Sequence, residues 1–294
     1  ARRDRAYSIF YLGINVGALL APLVCGTLGE TVDWAYGFAA AGVGMAIGLL
    51  TYLVGLSTLP PERRQRLGDV APAESATDLR SAVLSLSLLF LPSALFWAAF
   101  EQQGNTIALF AENLTDRSVG FLSWRAEIPV TWFQAFNPLM IILFTPMLVE
   151  WWARRAATGA EPSTLRKLSN GCLGLAASYL ILAFAAAGTE QGRASWLWLF
   201  VYFVVITLSE LHFSPITLSF VSRIAPAGSR AVLMGFWFTS MFVGNLLAGW
   251  IGGYWSKLTS AQFFLMVSTL GLIAAVIVEA ARWPLRKTVP SACG

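Results

Sequence analysis

SWLWLFVYFVVITLSELHFSPITLSFVS, residues 195–222, runs without a Lys or Arg and carries one acid, Glu210, near its middle. A helix needs roughly 20 predominantly apolar residues to cross the hydrocarbon of a bilayer, and this stretch is long enough. Seven more runs of the same kind lie near 7–28, 34–56, 83–110, 128–150, 170–188, 231–254 and 261–282. Gly, Pro and other small residues recur inside them, as close helix packing in lipid requires. Of the 294 residues, 56% are apolar and 12% are charged, whereas a soluble chain carries about a quarter charged residues. A soluble globular enzyme, a disordered chain and a nucleic-acid binder are excluded. The expectation is an all-α integral membrane protein with eight spanning helices.

The net charge of +4 has a membrane explanation. If residue 1 is cytoplasmic, sixteen of the twenty Lys and Arg fall on the cytoplasmic side, from Arg2, Arg3 and Arg5 to Arg286 and Lys287. Only Arg117, Arg125, Arg193 and Lys257 fall opposite. Lys and Arg concentrate in cytoplasmic loops, so both termini are expected there, with the plasma (inner) membrane as the location. Cys25, Cys172 and Cys293 have no CxxC spacing and form no disulfide framework.

One connection differs from the rest. Residues 57–82, STLPPERRQRLGDVAPAESATDLRSA, are polar, charged and rich in Pro and Ala, which reads as a cytoplasmic linker. It divides the chain into 1–56, with two spans, and 83–294, with six. Six helices make one half of a major-facilitator-type transporter, whose halves meet around a midplane site. On that plan 1–56 is the end of a first half that lacks four helices. Ala1 is not Met, and ARRDR reads as the interior of a cytoplasmic loop, which predicts truncation.

Few ionisable groups lie at membrane depth: Glu101, Glu210 and His212. At the rise of an α-helix, Glu101 sits about 15 Å from its outer helix end and Glu210 roughly 18–22 Å from either end. An ionised carboxylate there is costly, so it is paired, wetted or protonated, and such residues mark pathways. The plainer alternative is a protonated Glu bonded to a neighbouring carbonyl. His212 follows Glu210 by two residues and points off that face of the helix, which favours a packing or hydrogen-bonding role.

Two amides share this depth, Asn15 at about 13 Å and Asn137 at about 14 Å into their spans. Tyr11 and Ser8 lie on the face of Asn15, and Gln134 on that of Asn137. Polar faces on several helices at one depth favour a shared, acidic, amide-lined cavity. Its ligand would have a cation at one end and hydrogen-bonding groups along it. Trp97 shares the face of Glu101, four residues on, as a cavity wall or as packing. Pro138 and Pro215 lie near the candidate residues, where a missing N–H lets a helix bend. There is no HExxH, GxSxG or P-loop pattern, so no enzyme, cofactor or metal site is expected. Any pumping would draw on an ion gradient, and the carboxylates offer a proton site.

Several segments resemble the proton-coupled oligopeptide transporter family of the major facilitators. SIFYLGINVGALLAPLVCG (8–26) is similar to the family's fifth-helix pattern FYxxINxG, FWAAFEQQG (96–104) to its seventh helix, and TWFQAFNPLMIILFTP (131–146) to its eighth. SELHFSPITLS (209–219) resembles the tenth helix and MGFWF (234–238) the start of the eleventh. The resemblance implies helices 5 to 12 of twelve. The family's ExxERF motif and helix-4 lysine have no match here, which would explain the missing cations, and residues 57–82 are too short and polar for the extra helix pair of some bacterial members.

The resemblance also implies roles. Glu101 would couple protonation to peptide movement. Glu210 would receive the peptide's α-amino group and close the cytoplasmic side. Asn15 and Asn137 would bond the peptide backbone, with Tyr11 and Gln134 beside them. Trp97, Trp237 and Phe238 would line side-chain pockets, and Glu112 is an outer gate candidate or a solvated helix-end charge. The implied function is proton-coupled symport of di- and tripeptides by alternating access. The implied partners are short peptides, protons, the lipid bilayer and helices 1 to 4 of the same transporter. The alternatives are the same fold carrying nitrate or amino acids, or a truncated, non-transporting membrane subunit.

Overall fold

Eight helical spans among the described residues are long and apolar enough to cross a membrane. The computed structural model describes residues 2–58, 76–121, 124–188, 192–226 and 228–288, with side chains in the first of these from Leu12 onward. The first span is α1 (Arg2–Ala21), a π-helical turn at Pro22–Gly26 and α2 (Thr27–Thr31). Pro22 opens the wide turn, because its missing N–H and its ring disrupt the regular ladder. The second span is α3 (Trp34–Gly55), begun where the Asp33 carboxylate accepts the Ala35 N–H at 2.7 Å, an N-cap.

The third span is not one helix. It comprises α4 (Ala76–Phe100), a 3-10 segment at Glu101–Gly104 and α5 (Thr106–Asn113). The expected linker of 57–82 is therefore too long at its end, since ATDLRSA is already helical; residues 59–75 lie outside the described residues. The other spans are α6 (Trp132–Ala157), α7 (Thr164–Ala187), α8 (Trp196–Ile224), α9 (Arg230–Gly252) and α10 (Ser260–Thr288). The α7 helix starts six residues before the expected 170, where Ser163 Oγ accepts the Arg166 N–H at 3.4 Å.

Strands were not expected, yet four short ones occur. β2 (Ser118–Phe121) pairs antiparallel with β3 (Trp124–Glu127), and β1 (Thr115–Asp116) runs parallel to β4 (Ala194–Ser195). They close the hairpin end of the bundle, between α5 and α6 and ahead of α8. There Arg117 pairs with Glu127 at 2.8 Å and donates to the Ile128 carbonyl at 2.6 Å. The Ser118 hydroxyl and N–H donate to Asp116 and hold its carboxyl below the usual carboxylate range.

The core lies in α4 to α10. α7 is packed between α8 and α10, α4 lies against α9 and α10, and α6 bridges α8 to α1. Small hydroxyls tie the helices, as is common in membranes: Ser209 to the Gly171 carbonyl at 2.6 Å, Ser268 to the Ala176 carbonyl at 2.8 Å, and Ser93 to Ser240 at 2.9 Å. Gly271 of α10 lies so close to α7 that a Cβ would come within 2.9 Å of the Ala176 nitrogen. Gly271→Ile is therefore expected to pry α10 from α7, at the usual overpacking cost of about 1–3 kcal/mol. A thermal midpoint of the purified full-length protein equal to wild type would refute this.

In contrast, α3 and the described side chains of α1 bury little of themselves. Gly37 is the one buried residue of α3. Their apolar side chains face outward, Phe38, Met45 and Val54 among them. An outward apolar surface suits lipid or neighbouring helices, both of which satisfy apolar groups without water.

Candidate functional site

The break in the third span presents Glu101. A 3-10 turn is tighter than an α turn and shifts its N–H groups to nearer carbonyls, so carbonyls before the break need other donors. Side chains supply them. Gln102 Nε2 donates to the Ala98 carbonyl at 3.3 Å and to the Ala248 carbonyl of α9 at 2.9 Å, while its own oxygen accepts Thr106 Oγ1 at 3.0 Å. The Tyr179 hydroxyl donates to the Ala99 carbonyl at 2.6 Å, and Gln103 Nε2 to the Phe100 carbonyl at 3.2 Å. From α6, Gln134 Nε2 donates to the Gln103 carbonyl at 2.7 Å.

Beside this break opens a cleft of about 300 Å³, lined among others by Glu101, Gln103, Gln134, Asn137, Pro138 and Ala18. It brings α1, the third span and α6 together. Glu101 is half-buried there, with no hydrogen-bond or ion-pair partner among the described residues. Glu210 of α8 is partly buried and accepts Asn137 Nδ2 at 2.8 Å, and the same amide nitrogen lies 3.2 Å from Thr207 Oγ1. The two carboxylates are close enough to interact electrostatically. Among the described residues, no Lys, Arg or His bonds to either. Two cations of α7 and α8 have partners elsewhere: Lys167 pairs with Glu161 at 2.5 Å, and Arg223 donates to Thr164 at 3.0 Å. Two carboxylates and an amide without a fixed cation can take up a proton or a ligand's ammonium group, and the amides can bond a polar ligand's backbone.

The structure assembles part of the expected residue set. Glu101, Gln134 and Asn137 share the cleft, and Glu210 joins them through Asn137. Asn15 is buried in α1, one turn before Ala18 of the cleft. The side chain of Tyr11, like that of Ser8, lies outside the described residues. Asn137 is engaged with Glu210, so a backbone bond to a peptide would require it to share or exchange that partner.

The three aromatic candidates for side-chain pockets lie in different surroundings. Trp97 is packed edge-on against Phe96 and Phe100 and is 7% exposed, and Trp237 is buried in the core at 2%. Phe238, one residue on, is 49% exposed, because adjacent residues of a helix face different ways. Glu112 is exposed near the end of α5. The His212 ring meets Trp152 edge-on, and its Nδ1 lies 2.8 Å from the Leu208 carbonyl.

Glu30 was missed by the sequence reading. Its carboxylate accepts the N–H groups of Val130 at 2.8 Å and Thr131 at 2.7 Å, while Trp132 Nε1 donates to Thr27 at 2.8 Å. The end of the first span is thus clamped to the start of α6, where a carboxylate complements the helix dipole. An acid at a span end has no distinguishing sequence signal.

A family model described as PTR2, POT family, matches residues 1–70 and 62–266. The chain belongs to the POT family. It is 33% identical over 321 residues to the peptide transporter YePEPT of Yersinia enterocolitica, covering 86% of this chain and 62% of that protein. It is 28% identical over 348 residues to a di-/tripeptide transporter of Lactococcus lactis subsp. cremoris, covering 98% of this chain and 69% of the relative. Among solved structures it is similar to a mutant of peptide transporter POT in complex with alafosfalin, at a TM-score of 0.84 and 25% identity over 98% of this chain and 69% of the other. The major-facilitator helix bundle expected of the sequence is thereby the fold of this POT family chain. The chain spans 62% of the Yersinia relative and 65% of YclF from Bacillus subtilis, an uncharacterized transporter.

Proposed function

We propose that the full-length protein is a proton-coupled importer of di- and tripeptides working by alternating access. The observation that carries this reading is the cleft beside the helix break, where Glu101 has no cation partner among the described residues and Glu210 is held by Asn137. Membership of the POT family, and the names of the Yersinia and Lactococcus relatives, support the cargo. Glu101 takes up the coupling proton. Glu210 receives the peptide's amino group. Asn15, Asn137 and Gln134 bond its backbone, and Glu112 guards the hairpin end.

Four further helices would complete the first half, supported by the uncovered apolar faces of α1 and α3 and by the extra length of the relatives. They would also supply cations to the cleft, which has none among the described residues. The placement is the plasma (inner) membrane with both termini cytoplasmic, supported by the distribution of Lys and Arg. The test is uptake of a labelled dipeptide by the full-length protein in proteoliposomes, with the outside acid. Accumulation should require the pH gradient and be blocked by unlabelled dipeptide but not by nitrate. Uptake indifferent to the gradient, or competed by nitrate and not by dipeptide, would overturn the proposal.

A further inference from the structure

Tyr179 and Tyr202 are two buried hydroxyls with no place in the function just proposed. Both rings are fully buried, Tyr179 in α7 and Tyr202 in α8, and they meet edge-to-face at 5.3 Å. The Tyr202 hydroxyl donates to that of Tyr179 at 2.9 Å, and Tyr179 donates to the Ala99 carbonyl at 2.6 Å. The chain of bonds ends two residues before Glu101. A phenol buried in an apolar core needs a partner for its O–H. This pair reaches across to a third helix, at its break.

We infer that the Tyr202–Tyr179 pair is a positioning device for Glu101. The inference rests on the proposed coupling role of that carboxylate. Ala99 is one of the carbonyls at the break that accept a side-chain donor, and among these donors Tyr179 alone comes from α7. With its O–H on Ala99, the end of α4 is bound to α7, which packs against α8. Without it the carbonyl would lose that donor, and the chain would favour moving the N–H of a following residue onto it. That movement would turn Glu101 relative to the cleft. The pair therefore links the α7–α8 packing to the orientation of the proton-accepting carboxylate. Among the described residues, titratable groups near Glu101 include Glu210 of α8 and Tyr179 itself, both close enough to interact with it electrostatically. His212 of α8 is occupied with Trp152 and the Leu208 carbonyl, and α6 and α1 contribute amides and apolar groups to the cleft.

Tyr179→Phe keeps the ring and removes the bond to Ala99; Tyr202→Phe keeps that bond and removes the one behind it. Both are made in the full-length protein and compared with Glu101→Gln in two measurements. The first is the pH midpoint of dipeptide uptake. The second is amide hydrogen exchange across residues 98–106. Tyr179→Phe should shift the pH midpoint and speed exchange at the break by roughly three- to tenfold, the factor expected for one lost buried hydrogen bond. Tyr202→Phe should change both in the same direction and by less. A pH midpoint and exchange pattern both equal to wild type in Tyr179→Phe would overturn the inference, as would a fall in maximal rate alone. Faster exchange confined to the break supports the brace even if Glu101→Gln leaves acid-driven uptake intact, a result that would sink the coupling role of Glu101 and not the brace.

Discussion

Glu101→Gln in the full-length protein is expected to abolish acid-driven accumulation of dipeptides while peptide exchange across the membrane continues. The residue lines the cleft, is half-buried and has no partner among the described residues. Gln has nearly the same shape and polarity but cannot take up or release a proton, so the coupling step proposed for Glu101 would be lost. Coupling between two ligands of one protein is typically about 5–150-fold in affinity. Loss of that factor removes accumulation but not binding, because the amides and Glu210 remain. The measurement is uptake against counterflow in proteoliposomes. Gradient-driven accumulation at wild-type level in the mutant would refute the role.

Glu210→Gln should weaken peptides with a free amino end far more than amino-blocked ones. A carboxylate bound to an ammonium group makes a charge-assisted bond of about 1.5–3 kcal/mol, which corresponds to roughly 10- to 150-fold in apparent affinity. A blocked peptide never makes that bond and loses little. The Asn137 contact gives a second reason for a specific effect: Asn137 Nδ2 donates to Glu210 at 2.8 Å, so the amide orients the carboxylate proposed to receive the ligand. A Gln at 210 can accept the same Asn137 hydrogen, which keeps α6 and α8 tied and isolates the loss of charge. Competition assays with free and acetylated dipeptides measure the difference. An equal loss for both would mean that Glu210 serves the fold rather than the ligand.

Much of this protein follows from its order of residues alone. The eight spans and the membrane class were legible because the bilayer imposes a length and an apolar composition on each helix, and both are properties of local sequence. Glu101 and Glu210 were legible because an acid amid apolar residues stands out at any depth, and Gln134 and Asn137 because three residues apart on a helix means one face. The motifs around them place the chain in the POT family, as the family match then established.

Other features depend on which surfaces meet. The third span reads as one helix, and its break at Glu101–Gly104 is held by donors from α6, α7 and its own glutamines. No local pattern announces donors that come from residues 134 and 179. The placing of Trp97 and Trp237 in the core, with Phe238 turned outward, was likewise decided by packing, since an aromatic residue at membrane depth suits lipid, core or cavity equally. The Glu30 clamp on the start of α6 and the Tyr202–Tyr179–Ala99 chain of bonds join residues 80 to 101 positions apart at their longest links. Solvation, which the sequence records residue by residue, determined the class and the spans. Hydrogen bonding between distant segments, which only the folded chain brings into reach, decided where the helix breaks and how its carboxylate is held.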